Sequence, residues 1–226
     1  MSINVKKHEA IAILQVNFFE DWARKLEVFL RKIKKDEKIR ALILEFSDEE
    51  NFSGRVKTKD LNEKMLFSAI KNFPVPIILI IKDSAKGYLF GIALASHLCI
   101  ASDLAEFEIE KTENLKLQIG KQNSDKLNST KNKINSEKAS DLGFINKVVP
   151  PIEVEKAAFE MAQEIVNLAP LAIRSCLIAV NQGLEINLTE GLKLETKLFA
   201  QIFATEDMKE GTQAFLEKRK PNFQGK

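Results

Sequence analysis

The sequence predicts an α/β protein whose core repeats a ββα turn and whose C-terminal part is helical. Short apolar runs rich in β-branched residues, at Ile11 to Val16, Ala41 to Phe46 and Ile77 to Ile81, alternate with helical stripes. A segment apolar nearly all round, Tyr88 to Leu98, follows Gly87 and carries Gly91, Ala93 and Ala95, which marks a helix buried on all sides. From Ser136 onward the apolar spacing is helical, broken by one brief strand. The order divides the chain into a core over 1–150 and a helical region over 151–226.

Ile3 to Val5 and Ile11 to Val16 suggest a strand pair turning at Lys7-His8-Glu9. Trp22, Leu26, Phe29, Leu30 and Ile33 recur at helical spacing and predict an amphipathic helix over Glu20 to Lys35. Its outer face carries Arg31, Lys32, Lys34 and Lys35, which a solvated face explains as well as a ligand would. Ala41 to Phe46 is the next strand and Leu61 to Phe73 the next helix. After the buried helix comes a strand pair, Leu98 to Ala101 and Ala105 to Ile109. Lys121 to Glu137 is mostly Asn, Ser, Lys, Thr, Asp and Gln, too polar to offset its ordering entropy, and a mobile loop is expected there. A short helix over Ser136 to Leu142 closes on Gly143, and Ile145 to Val149 returns as a strand. Val154, Ala158, Met161 and Ile165 form one helical stripe, and Pro170 opens another helix at its favoured early position. Thr189 to Ala204 and Thr205 to Lys220 complete the set. Their Leu192, Phe199, Ile202, Phe203 and Phe215 need a core or a second subunit to pack on.

Composition excludes several classes. A net charge of +2 gives no electrostatic footprint for nucleic acid. No run of about 18 apolar residues occurs and Met1 to Lys7 has no apolar signal core, so a cytoplasmic protein without a membrane partner is expected. Cys99 and Cys176 lie far apart in apolar segments and read as buried free thiols. With only His8 and His97 present, histidine-based zinc chemistry is not expected, and no metal site is assigned.

Two stretches suggest a site. Buried strand, glycine turn and buried helix start, over 76–109, aim helix N-terminal N–H groups at one point. Such groups can form an oxyanion hole, although an ordinary βαβ crossover has the same pattern. The loop NFSGRVKTKDL, residues 51–61, follows a strand and bends at a glycine, as catalytic loops do and as plain strand-to-helix connections also do.

The C-terminal blocks LGFINKVVP, LAPLAIRSCLIAVNQGLE and TEGLKLETKLFAQIFATEDMKEGTQAFLEKRKPNF, with the central FPVPIILIIKDSAKGYLFGIALASHLCIASDLAEF, resemble the enoyl-CoA hydratase/isomerase family, the crotonase superfamily. The resemblance covers most of the chain. It implies a crotonase-like spiral of ββα turns with a C-terminal helical oligomerisation region, assembled as a homotrimer or hexamer. It further implies an acyl-CoA thioester as substrate, no permanently bound cofactor, a place in fatty acid metabolism, and a thioester enolate held between two backbone N–H groups.

Residue by residue the match is partial. The family's first donor follows the glycine of a Phe-Ser-Ala-Gly segment. Here Phe52-Ser53-Gly54-Arg55-Val56 assigns it to the Val56 N–H. An ungapped register places Gly87-Tyr88-Leu89 on the family's three-glycine run, making the Tyr88 N–H the second donor. A gapped register would move the turn toward Gly91. The family's two acid/base glutamates map to Gly91 and Lys111, and Ser84 to Ser102 contains no acidic residue. Glu110, beside Lys111, enters only by a one-residue slip or bulge. Glu106, Glu108 and Glu110 also fit one solvated strand face. Phe215 and Lys218 match positions that touch the CoA of a neighbouring subunit, while Lys218 to Lys220 equally suit a helix C-terminus. The resemblance therefore implies a family protein without ordinary hydratase activity. The alternative is an active acyl-CoA enzyme in which Glu110 or Lys111 handles protons.

Overall fold

The computed structural model describes residues 3–17, 21–47, 49–52, 61–108 and 133–226. Its centre is a six-stranded sheet in the order β1-β2-β3-β4-β6-β9. These strands are β1 (Ile3–His8), β2 (Ile11–Asn17), β3 (Ala41–Ser47), β4 (Ile77–Ile81), β6 (Leu98–Ser102) and β9 (Lys147–Val149). β1 runs antiparallel to β2, with His8 opposite Ile11, and every other neighbouring pair is parallel. A second sheet joins β5 (Ser84–Ala85), β7 (Glu106–Glu108) and β8 (Lys133–Asn135).

β3 and β4 are almost unbroken apolar runs because helices cover both faces of the sheet. Leu42, Leu44, Leu79 and Ile81 face α1 (Trp22–Ile33), α2 (Leu61–Lys71) and α3 (Gly87–Ala95). Ala41, Ile43, Ile78, Ile80 and Ile100 face the opposite way, onto Val154, Ala157, Ala158 and Ala162. Those four follow α4 (Ser136–Asp141) and lie on α5 (Val154–Val166), whose alanines let the helix lie close to the sheet. Leu44 is fully buried, and its truncation to alanine should cost about 2–5 kcal/mol.

The final helices are α6 (Pro170–Gly183), α7 (Leu188–Phe203) and α8 (Glu206–Leu216). No residue of α6 or α7 is buried, and Leu188, Leu192, Phe199 and Phe203 are all more than half exposed. Among the described residues no single helix is long and apolar enough to cross a membrane.

Several boundaries differ from the sequence expectations. The hairpin turns at Glu9-Ala10, where Glu9 takes a left-handed φ of 52°. α3 stops at Ala95, because Ser96 is extended and Leu98 already belongs to β6. Leu98 to Ala101 and the described part of Ala105 to Ile109 do not pair with each other. β6 sits between β4 and β9, whereas β7 joins the second sheet. Of the expected mobile loop at 121–137, residues 133–137 are ordered as β8 and the start of α4. Asn135 caps that helix by accepting from the Lys138 N–H. The rest of that loop lies outside the described residues.

The last helix ends four residues earlier than expected. Lys218 adopts φ 55°, and the Arg219 N–H returns to the Ala214 carbonyl, a Schellman closure without glycine. Beyond it the chain folds back. Asp207, 3% exposed, accepts from the Gln224 and Gly225 N–H groups, and the Arg40 guanidinium donates to the Phe223 carbonyl.

Candidate active site

The N-terminus of α3 is set by backbone geometry. Lys86 is extended and Gly87 has φ 50°, a left-handed conformation that disfavours any residue with a Cβ. The Leu89 and Phe90 N–H groups both return to the Lys86 carbonyl, so the helix begins its bonding there. Tyr88 is the second residue of this helix, in the turn whose N–H groups point out of the N-terminus. The turn carries no acidic side chain. The partial positive charge of the helix end therefore meets no carboxylate from its own first turn.

Tyr88 is half-buried, and its ring meets the edge of Trp22 at 5.9 Å between centroids. Trp22, the first residue of α1, also packs against Phe52 at 5.0 Å and Phe46 at 5.9 Å. Phe46 and Phe52 lie 4.7 Å apart, which closes a four-ring cluster of edge-to-face contacts. The Tyr88 side chain, in the place of a family glycine in the ungapped register, is thus packed against the first residue of α1.

Beneath the turn leading to α3 lies a carboxylate that sequence reasoning missed. Glu49, 4% exposed, opens a one-turn 3-10 helix, Glu49–Phe52. It accepts from three successive backbone N–H groups, Lys82 at 2.7 Å, Asp83 at 2.7 Å and Ser84 at 2.6 Å. Burial pushes its carboxyl above the usual range, and the three N–H bonds pull the other way. In sequence Glu49 belongs to an acidic loop, and only a partner 33 residues away reveals its role.

On the other side of the same turn, the Lys82 ammonium bonds Glu45 and lies 2.6 Å from Glu155 on α5. Burial opposes ionisation of Glu45, but the hydrogen bonds from Lys82 and Gln15 outweigh it and hold the carboxyl below its ordinary value. Cys99 is buried, and burial, reinforced by the Glu49 charge, raises its thiol, which argues against a nucleophile. Cys176 is exposed on α6, contrary to the buried thiol expected there.

Gly91, one turn into α3, faces α2. A Cβ built on it would stand 2.7 Å from Cζ of Phe67, so the Phe67 ring fills the space that a side chain at 91 would take. At the far end of α3 a cleft of about 290 Å³ is lined by Lys71, Leu94, His97, Cys176 and Leu184, well away from Tyr88. His97 there accepts from the Ile77 N–H and lies 3.1 Å from the Lys71 carbonyl, joining α2 to β4. Among the described residues no group of three or more His, Cys, Asp or Glu side chains could hold a metal ion.

Of the other sequence candidates, Val56, Glu110 and Lys111 lie outside the described residues. Glu106 is exposed, Phe107 buried and Glu108 half-buried, the alternation of a strand with one solvated face. Phe215, 82% exposed, and Lys218 lie at the end of α8 and take no part in the Tyr88 cluster.

Residues 14–226 match the protein family described as Enoyl-CoA hydratase/isomerase. Enoyl-CoA hydratase domain-containing protein 2, mitochondrial, of Mus musculus is 34% identical over 176 residues, which span 71% of this chain and 60% of the mouse protein. The short-chain-enoyl-CoA hydratase of Clostridium acetobutylicum is 25% identical over 250 residues, covering 97% of this chain and 96% of its own length. The solved structure of enoyl-CoA hydratase subunit I from Geobacillus kaustophilus superposes with a TM-score of 0.86 at 26% identity, covering 100% of this chain and 99% of that one. The chain belongs to the enoyl-CoA hydratase/isomerase family and has the crotonase-like fold.

Proposed function

We propose that this protein binds acyl-CoA thioesters through backbone amides at Val56 and Tyr88, and that it has no ordinary hydratase activity. The contact between Phe67 and Gly91 carries the second half of this reading. In the ungapped register Gly91 takes the place of the family's first glutamate, and an aromatic ring lies where that side chain would begin. Water addition in this family needs carboxylates on both sides of the attacking water, and a phenyl ring can neither take up nor release a proton. Two amide donors still polarise a thioester carbonyl without them.

The exposed apolar residues of α6, α7 and α8, among them Val180, Leu192, Phe199, Phe203 and Phe215, support a homotrimer or hexamer. In such an assembly Phe215 and Lys218 would meet the CoA of a neighbouring subunit.

Thermal unfolding with and without millimolar acetyl-CoA tests the thioester reading. A ligand that binds the native protein must raise the midpoint by mass action. A rise with acetyl-CoA is expected, and no rise with either acetyl-CoA or free CoA refutes a CoA role.

A further inference from the structure

We propose that Glu49 is the positioning residue of the Tyr88 amide, holding the N-terminus of α3 in place by two routes at once. The first route is backbone. The three N–H groups that Glu49 accepts belong to Lys82, Asp83 and Ser84, which leave β4 and enter β5. Ala85 and Lys86 then lead directly into Gly87 and Tyr88. The same turn is held from its other side, where the Glu106 N–H donates to the Asp83 carbonyl at 3.0 Å. The second route is aromatic. Phe52 shares the one-turn helix with Glu49, packs on Trp22 at 5.0 Å, and Trp22 in turn meets Tyr88 at 5.9 Å.

A carboxylate suits this position for a chemical reason. It is acceptor-only, so its two oxygens can take three converging N–H groups, and charge assistance strengthens each bond. A carboxamide of the same shape turns one NH2 toward donors and leaves at least one buried backbone N–H without an acceptor. Replacing Glu49 therefore moves the path to Tyr88 without touching a ligand. The role rests on the thioester reading above, because Tyr88 needs positioning only if its amide meets a carbonyl oxygen.

The test uses acetoacetyl-CoA, a β-keto thioester that loses its Cα proton to buffer and forms an enolate absorbing in the near ultraviolet. Correctly placed amides raise the enolate fraction of the bound ligand. In Glu49→Gln that fraction should fall about tenfold or more, since loss of a single such donor costs about a hundredfold in rate elsewhere. The dissociation constant should change less, because the CoA moiety is untouched. Glu49→Asp, which keeps the charge, should recover part of the enolate signal and provides the measurement if Glu49→Gln does not fold. Val154→Ala, in the opposite core layer, should lower stability and leave the enolate fraction unchanged. Equal enolate fractions in wild type and the folded Glu49 variants would overturn the positioning role alone. So would a fall in Val154→Ala as large as that in Glu49→Gln. Absence of acetoacetyl-CoA binding to the wild type would overturn the thioester reading, and this role with it.

Discussion

The Phe67 ring lies against Gly91, with Cζ 2.7 Å from where a Cβ on Gly91 would stand. Gly91→Glu should therefore not restore a family-like carboxylate by itself. The ring must move, and overpacking of this kind costs about 1–3 kcal/mol. Urea unfolding should show that loss in Gly91→Glu, and a smaller loss on adding Gly91→Glu to a Phe67→Ala background. Equal losses in both backgrounds would show that the two positions are not coupled.

The protein has one tryptophan and one tyrosine, and Trp22 and Tyr88 are in contact. Intrinsic emission therefore reports directly on the start of α3. Acyl-CoA binding should change Trp22 emission in a saturable way. Saturable binding by calorimetry with silent fluorescence would place the ligand elsewhere.

Acid should weaken the fold through His97. Burial lowers its pKa from 6.5 to about 4 in the folded chain, so the folded state prefers the neutral ring. The unfolded chain binds the extra proton first. His97 thus lowers stability by about 1.4 kcal/mol per pH unit as pH falls from about 6.5, until the folded ring itself protonates near 4. His97→Gln should flatten this part of the profile in urea titrations at pH 7 and pH 5. An equally steep profile in the variant would assign the acid sensitivity to other groups.

The Phe199 and Phe203 rings lie 4.9 Å apart on α7, tilted by 57° to one another, each more than half exposed. Sedimentation of the wild type should give a mass of three or six chains. Phe199→Glu should shift it toward the single chain, because a charge on a desolvated apolar face has no partner. A wild-type monomer at micromolar concentration would contradict the assembly.

The elements legible in the sequence are those whose burial is local. β3 and β4 are apolar on both faces, so Ala41–Ser47 and Ile77–Ile81 stand out within a residue of their true limits. The end of α3 is harder, because residues 88–101 are apolar throughout apart from Ser96 and His97. His97 marks the break by its bond to the Ile77 N–H, on the neighbouring strand β4 but 20 residues back in the sequence. β8 is three mainly polar residues that become a strand only because β7 is there to pair with, Phe107 opposite Ile134. The same holds at the site. Gly87 is visible as a glycine before an apolar helix, whereas Glu49 looks like part of a solvated acidic loop until its three N–H donors are placed.

The most direct test of a thioester-binding frame without hydratase chemistry is the rate of crotonyl-CoA hydration by the purified protein. With Phe67 against Gly91, the rate should equal that of buffer alone while acetyl-CoA still raises the unfolding midpoint. Turnover of about one per second or faster, within the ordinary range of enzymes, would contradict the account.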